Sequence, residues 1–156
     1  MKIIINFFFA FLLFFSNQAI SLEKGKWSFV KTDEYCYIGS LATATDLPPE
    51  KNRGDFYILV YKNIGNPETI VQIEAGYNYK IGPDIIVKID KGEYVFYTTK
   101  DLPSAAWTNE DKKVIFAMKK GLELNVIGES SRGTITNDTY TLKGFTAAYN
   151  KLAEDC

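Results

Sequence analysis

Asp55-Phe56-Tyr57-Ile58-Leu59-Val60-Tyr61 is apolar or aromatic at every position after its first residue. Side chains alternate across a strand, so this run puts apolar groups on both faces at once. That pattern predicts a strand in the middle of a sheet, covered on both sides. The flanking sequence repeats the theme in weaker form. Downstream, Asn66-Pro67 marks a turn, and Val71, Ile73 and Ala75 then alternate with Gln72 and Glu74. Ile85, Val87 and Ile89 alternate with Lys88 and Asp90, and Tyr94-Val95-Phe96-Tyr97-Thr98 follows. Asp90-Lys91-Gly92-Glu93 between them predicts a tight hairpin with Gly92 available for positive φ.

Upstream, Lys26–Lys31 and Tyr35–Ala42 read as two opening strands. They are separated from the central run by Thr43–Gly54, a polar stretch with Pro48-Pro49 at its centre. Adjacent prolines remove two ladder donors, which predicts a surface loop. Further on, Leu122, Leu124 and Val126 share one strand face, and Asp138–Leu142 forms a last strand. Two segments have helical signals. Thr108 or Asn109 can cap a helix with Glu110 and Asp111 in its first turn, Lys119-Lys120 at its end and Gly121 after it. Phe145, Ala148, Tyr149 and Leu152 recur at i, i+3, i+4 and i+7, one apolar stripe leading to Cys156. Many short strands with one or two short helices near the C-terminus make the fold class all-β, a β-sandwich.

The first 21 residues follow a different plan. Lys2 precedes an apolar run, Ile3–Phe15, interrupted by Asn6, and then Ser16-Asn17-Gln18-Ala19-Ile20-Ser21. A basic start, a short apolar segment and small residues at the cleavage positions read as a secretory signal peptide, cut before Leu22 or after Ala19. The apolar run is short of the ~20 residues that span a bilayer, so no stable membrane span is expected after cleavage. Residues 22–156 then form a single domain of about 135 residues, large enough to build a core.

The 156-residue chain holds 18 basic and 19 acidic side chains, and no histidine. Charges alternate without forming a block, which speaks against a nucleic-acid partner. Without histidine, Ser-His-Asp and Cys-His nucleophile systems and His-ligated zinc are excluded. No phosphate loop, dinucleotide fingerprint or EF-hand series occurs, and no cofactor is called for. A pair of carboxylates in a cleft is the one hydrolytic arrangement left open. Two cysteines in an exported chain read as a pair, Cys36–Cys156, closing a long loop. A reactive or metal-binding thiol pair is the alternative, without CxxC spacing to support it.

Two short matches carry little. Arg53-Gly54-Asp55 is a tripeptide read by some animal cell-surface receptors, but Gly-Asp before a strand is ordinary turn chemistry. Asn137-Asp138-Thr139 fits a glycosylation acceptor and equally a turn.

Tyr35-Cys36-Tyr37-Ile38, Gly76-Tyr77, Ala106-Trp107, Ala117-Met118-Lys119-Lys120-Gly121, Gly128-Glu129-Ser130-Ser131-Arg132-Gly133-Thr134 and Asp138–Ala148, with Cys156 at the end, together resemble the invasion-associated locus B family of alphaproteobacterial exported proteins. The resemblance covers nearly all of residues 22–156, and its C-terminal block is its most specific part. It implies an immunoglobulin-like β-sandwich, a periplasmic or outer-envelope location and no known catalytic activity. Some members are linked to entry into host cells. Several carry an additional N-terminal cysteine pair; only Cys36 stands in that region here. The family supplies no ligand residues to carry across.

The reading that follows is a non-enzymatic binding module with a protein or envelope component as partner. Tyr57, Tyr61, Tyr77, Tyr79, Tyr94 and Tyr97 suit an interface or, equally, a core. Host-cell adhesion and a carboxylate-based hydrolase are the alternatives. In the polar hairpin Gly128–Leu142, Arg132 is the candidate functional side chain. Its planar fork suits recognition of a carboxylate or phosphate. Alternatively it braces the hairpin by folding back onto Glu129, Asp138 or the carboxylates of the tail, a role favoured by the abundance of acidic partners.

Overall fold

A computed structural model describes residues 21–156; the proposed leader lies outside the described residues apart from Ser21. Ten strands form two five-stranded antiparallel sheets, in the order β1-β2-β4-β5-β8 and β3-β10-β9-β6-β7. The first sheet comprises β1 (Ser28–Lys31), β2 (Tyr35–Leu41), β4 (Tyr57–Asn63), β5 (Ile70–Glu74) and β8 (Ala105–Ala106). The second comprises β3 (Ala44–Thr45), β6 (Ile85–Ile89), β7 (Gly92–Phe96), β9 (Glu123–Glu129) and β10 (Ile135–Thr141). Helices α1 (Asp111–Lys120) and α2 (Phe145–Asp155) complete the fold. This is the β-sandwich with two short helices that the sequence patterning implies.

The core lies between the sheets and follows the period-two reading. Ile58 and Val60 of β4, Val71 and Ile73 of β5, Val87 and Ile89 of β6, and Leu124 and Val126 of β9 are all buried. β4 is the central strand of its sheet, as its sequence predicts. Its second face is not covered, however. Tyr57, Leu59 and Tyr61 are only half-buried, because neither helix packs across the outer surface of that sheet. The reading of Leu122 also fails. It stands before β9 with 81% of its surface exposed, at the bend leaving α1, so only Leu124 and Val126 point inward.

Turn chemistry differs from expectation at four places. Asp90, not Gly92, takes the left-handed conformation of the β6–β7 hairpin, with φ 51°. Asp tolerates that region better than most side chains. α1 begins at Asp111 with no side-chain cap, while Thr108 Oγ1 accepts the Glu110 N–H at 3.2 Å and shapes the turn ahead of the helix. Gly121 follows the helix in extended conformation. It is there for closeness: a Cβ at Gly121 would stand 2.6 Å from Ile89 Cγ2 and 2.9 Å from Leu142 Cδ1. Finally, the polar stretch 43–54 is a loop only after Thr45, since β3 pairs Ala44 and Thr45 with Thr139 and Asp138.

α2 presents Phe145, Ala148 and Leu152 to the core, as its stripe predicts, with Tyr149 partly buried beside them. Trp27 meets Phe145 edge-on at 4.9 Å and donates from Nε1 to the Thr141 carbonyl at 2.9 Å. The helix ends in a disulfide from Cys156 to Cys36 in β2, with Cα atoms 6.0 Å apart and a sequence separation of 120. α1 packs against α2 and β5, where Asp111 Oδ1 accepts the Val71 N–H at 2.8 Å.

Candidate functional site

A cleft of about 610 Å³ opens between the loop after β3, the segment leaving β5 and the β9–β10 hairpin. Close glycine packing draws its walls together. Gly54 N–H donates to the Gly76 carbonyl at 2.9 Å, and Gly76 has φ +69°. A Cβ at Gly76 would stand 2.2 Å from Gly54 O, so no other residue fits this crossing. The chain then runs alongside the hairpin: Lys80 N–H donates to Glu129 O at 2.9 Å and Ser131 N–H to Asn78 O at 2.8 Å. Gly128 leaves space for the Tyr79 ring, whose Cε1 lies 2.5 Å from where a Cβ would be.

Arg53 forms the base of this cleft. Its side chain and that of Asp138 are each 5% exposed, joined Nη2 to Oδ2 at 2.7 Å. Asp138 Oδ1 also accepts the Thr45 hydroxyl at 2.6 Å. The guanidinium lies 3.4 Å above the centre of the Phe56 ring and 5.3 Å from that of Tyr77. Its Nε and Nη1 are buried and meet no acceptor among the described residues. Tyr77 Oη lies 2.8 Å from Thr136 Oγ1. Burial, above all, holds the Tyr77, Tyr79 and Tyr140 hydroxyls in their neutral form, with pKa values above the usual range.

Arg53 is therefore turned inward, and the 53–55 tripeptide offers no free arginine to a receptor. Asp138 of the Asn137-Asp138-Thr139 match is likewise buried within β10. The hairpin itself closes as a polar turn. Ser130 Oγ accepts the Thr134 N–H at 3.2 Å, Gly133 N–H donates to Ser130 O at 2.8 Å, and Gly133 has φ +86°. Arg132 is exposed at its tip and lines the cleft. Of the carboxylates within its reach by sequence, Glu129 is held by Lys80 at 2.9 Å and Asp138 by Arg53. Lys51 stands across the mouth, its Nζ 3.4 Å from Thr134 Oγ1. Among the described residues, three cations and no carboxylate line the cleft.

A second groove, about 370 Å³, runs over the outer face of the first sheet. Register places Tyr37 opposite Tyr61, Leu59 opposite both Gly39 and Gln72, and Tyr35 opposite Asn63. Tyr35 and Tyr37 stack at 6.2 Å. A side chain at Gly39 would collide with Leu59 Cδ2 at 2.7 Å, so glycine there lets Leu59 lie flat. Desolvation raises the pKa of Tyr37 and Tyr57, aided for Tyr37 by Tyr35 and for Tyr57 by Glu74. The tyrosines singled out from sequence thus divide: Tyr57 and Tyr61 belong to this face, Tyr77 to the cleft, Tyr79 to the core, and Tyr94 and Tyr97 to the far edge of the other sheet. Paired carboxylates, the requirement of the hydrolase alternative, line neither groove.

The model of the invasion-associated locus B (IalB) protein family matches residues 30–153. The chain belongs to that family. The crystal structure of invasion-associated protein B from Bartonella henselae is a structural neighbour of this IalB-family chain, with a TM-score of 0.57 over 83% of this chain and 92% of that one. At 16% identity the likeness shows a shared fold. No curated protein matches the sequence. The family match spans both grooves and stops three residues before Cys156. No described helix of this IalB-family chain is long and apolar enough to cross a membrane.

Proposed function

We propose that this chain is an exported, non-enzymatic binding module of the bacterial envelope, holding a protein partner on the tyrosine face of its first sheet. The observation that supports this reading is the row formed by exposed Tyr35 and half-buried Tyr37, Tyr57 and Tyr61 around Leu59, on a sheet face that neither helix covers. Tyrosine combines a large contact area with a polar tip and few rotatable bonds, which is why it dominates protein interfaces. A central strand with apolar groups on both faces exposes one of them at a cost, and a partner removes that cost. The long-range disulfide and the leader-like first 21 residues support export. The absence of histidine and of a lining carboxylate pair supports binding over catalysis.

The test uses the full chain, exported and purified from the periplasm, and crosslinked in envelope extract beside a Tyr37→Ser/Tyr61→Ser variant. Both side chains face outward, so the variant is expected to keep its fold and melting temperature. A protein captured by the unaltered chain and lost by the folded variant supports the reading. Equal capture by both, or no capture, overturns it.

A further inference from the structure

The cationic cleft and the tyrosine groove share no lining residue, so the cleft is a separate feature. We infer that it is a binding site for an oxyanion carried on a polyhydroxylated scaffold, a phosphorylated or carboxylated sugar. Lys51 and Arg53 of one loop meet Arg132 of the distant β9–β10 hairpin in a chain whose overall charge is −1, and no carboxylate among the described residues lines the cleft they share. Asp138 offsets Arg53, which leaves Lys51 and Arg132 as the two charges at the mouth with no ion-pair partner among the described residues. A guanidinium facing an ammonium across an opening suits an oxyanion, which accepts a bidentate bond from one and a point-charge contact from the other.

The remaining lining speaks for the scaffold. The Asn52, Asn78 and Ser131 side chains line the cleft and hydrogen-bond to no other described group. Amides and hydroxyls of this kind recognise sugar hydroxyls, which both donate and accept. A volume of about 610 Å³ is within the ordinary range for small-molecule sites and larger than a bare phosphate needs. Beneath, the buried Nε and Nη1 of Arg53 are donors without acceptors, which keeps positive potential at the base of the cleft despite Asp138. The sandwich supplies the rigidity: the hairpin, the 76–80 segment and the loop after β3 are tied together by backbone bonds from Gly54, Lys80 and Ser131.

The experiment titrates the full exported chain by calorimetry with glucose 6-phosphate, glucuronate, inorganic phosphate and glucose. Arg132→Gln and Lys51→Gln are compared with Lys91→Gln, a hairpin control far from the cleft. Binding of glucose 6-phosphate or glucuronate that weakens at least tenfold in Arg132→Gln and in Lys51→Gln, and is unchanged in Lys91→Gln, supports the site. Which of the two sugars binds identifies the oxyanion. Binding of neither overturns the inference, as does affinity unaffected by the cleft variants. Inorganic phosphate binding as tightly as the sugar phosphate, or glucose binding as tightly as its charged derivatives, also overturns it. Arg132 and Lys51 are exposed, so unfolding does not obscure these outcomes, and melting curves of each variant verify it.

Discussion

Arg53 Nη2 donates to Asp138 Oδ2 across 2.7 Å, with both side chains 5% exposed. The pair joins the strand entry before β4 to the middle of β10, so it links the two sheets of the sandwich. Removing one partner leaves the other charge buried and uncompensated, which costs about 3–5 kcal/mol. Asp138→Asn is expected to lower stability by that order in urea titration, and Arg53→Met likewise. The double variant is expected to lose clearly less than the two single losses combined, because no orphaned charge remains. Strict additivity would show that the pair carries no coupling.

Reduction of Cys36–Cys156 frees a loop of 120 residues. In the chain-entropy account that lowers stability by up to about 5 kcal/mol. A Cys36→Ser/Cys156→Ser variant is expected to melt roughly 10 °C or more below the oxidised protein. Identical melting of the two would show that packing alone holds α2 against β2.

Burial is the largest cause raising the Tyr79 and Tyr140 pKa values, followed by Tyr77 for the former and Asp138 for the latter. A raised value means that folding favours the neutral phenol. The associated stability is fully present below the ordinary tyrosine value near 10 and is lost as pH rises above it. In an alkaline titration followed by phenolate absorbance, these two are expected to ionise only together with loss of the β-sheet signal. Ionisation of Tyr79 and Tyr140 before any unfolding would contradict this.

The period-two alternation made β4, β5, β6 and the buried face of α2 legible, because burial on one side leaves a direct imprint on residue order. What the alternation does not encode is whether a second face is covered, and so the tyrosine face of β4 was read as interior. Leu122 failed for a related reason: periodicity extends past the end of a strand, and a bend removed it from the row. The cleft was less accessible still, since the 51–53 segment meets position 132 only through topology. Arg132 was found from its place in a polar hairpin. Arg53 was missed, although a signal existed. Thr136, Asp138 and Tyr140 share the parity of a buried row in β10, and an acid at an inward position requires a cation to meet it.

Desolvation raises the Asp111 pKa, with the Val71 N–H acting in the opposite direction. Its protonated form is favoured on folding, so this contribution is present below the usual carboxyl range and lost as pH rises through the folded value. Asp111→Asn retains an acceptor for Val71 and removes the titration. Its stability at neutral pH is expected within about 1 kcal/mol of the parent, the lost helix-end attraction being of that size. Asp111→Ala leaves the Val71 N–H without that acceptor and is expected to cost about 1–3 kcal/mol. Chemical denaturation of both variants checks the ordering, and equal losses would exclude a role for this hydrogen bond.

The disulfide has a consequence for the order of events in biogenesis. Cys36 sits in the second strand to leave the ribosome, and Cys156 follows all ten strands and both helices. With two cysteines only one intramolecular pairing exists, so oxidation has no wrong isomer to correct. Under the proposed export, the Cys36 thiol of β2 has no intramolecular partner until Cys156 has also reached the oxidising compartment. Closure of the bond therefore comes after synthesis of every described element from β2 to α2, and a chain that lacks α2 cannot acquire it.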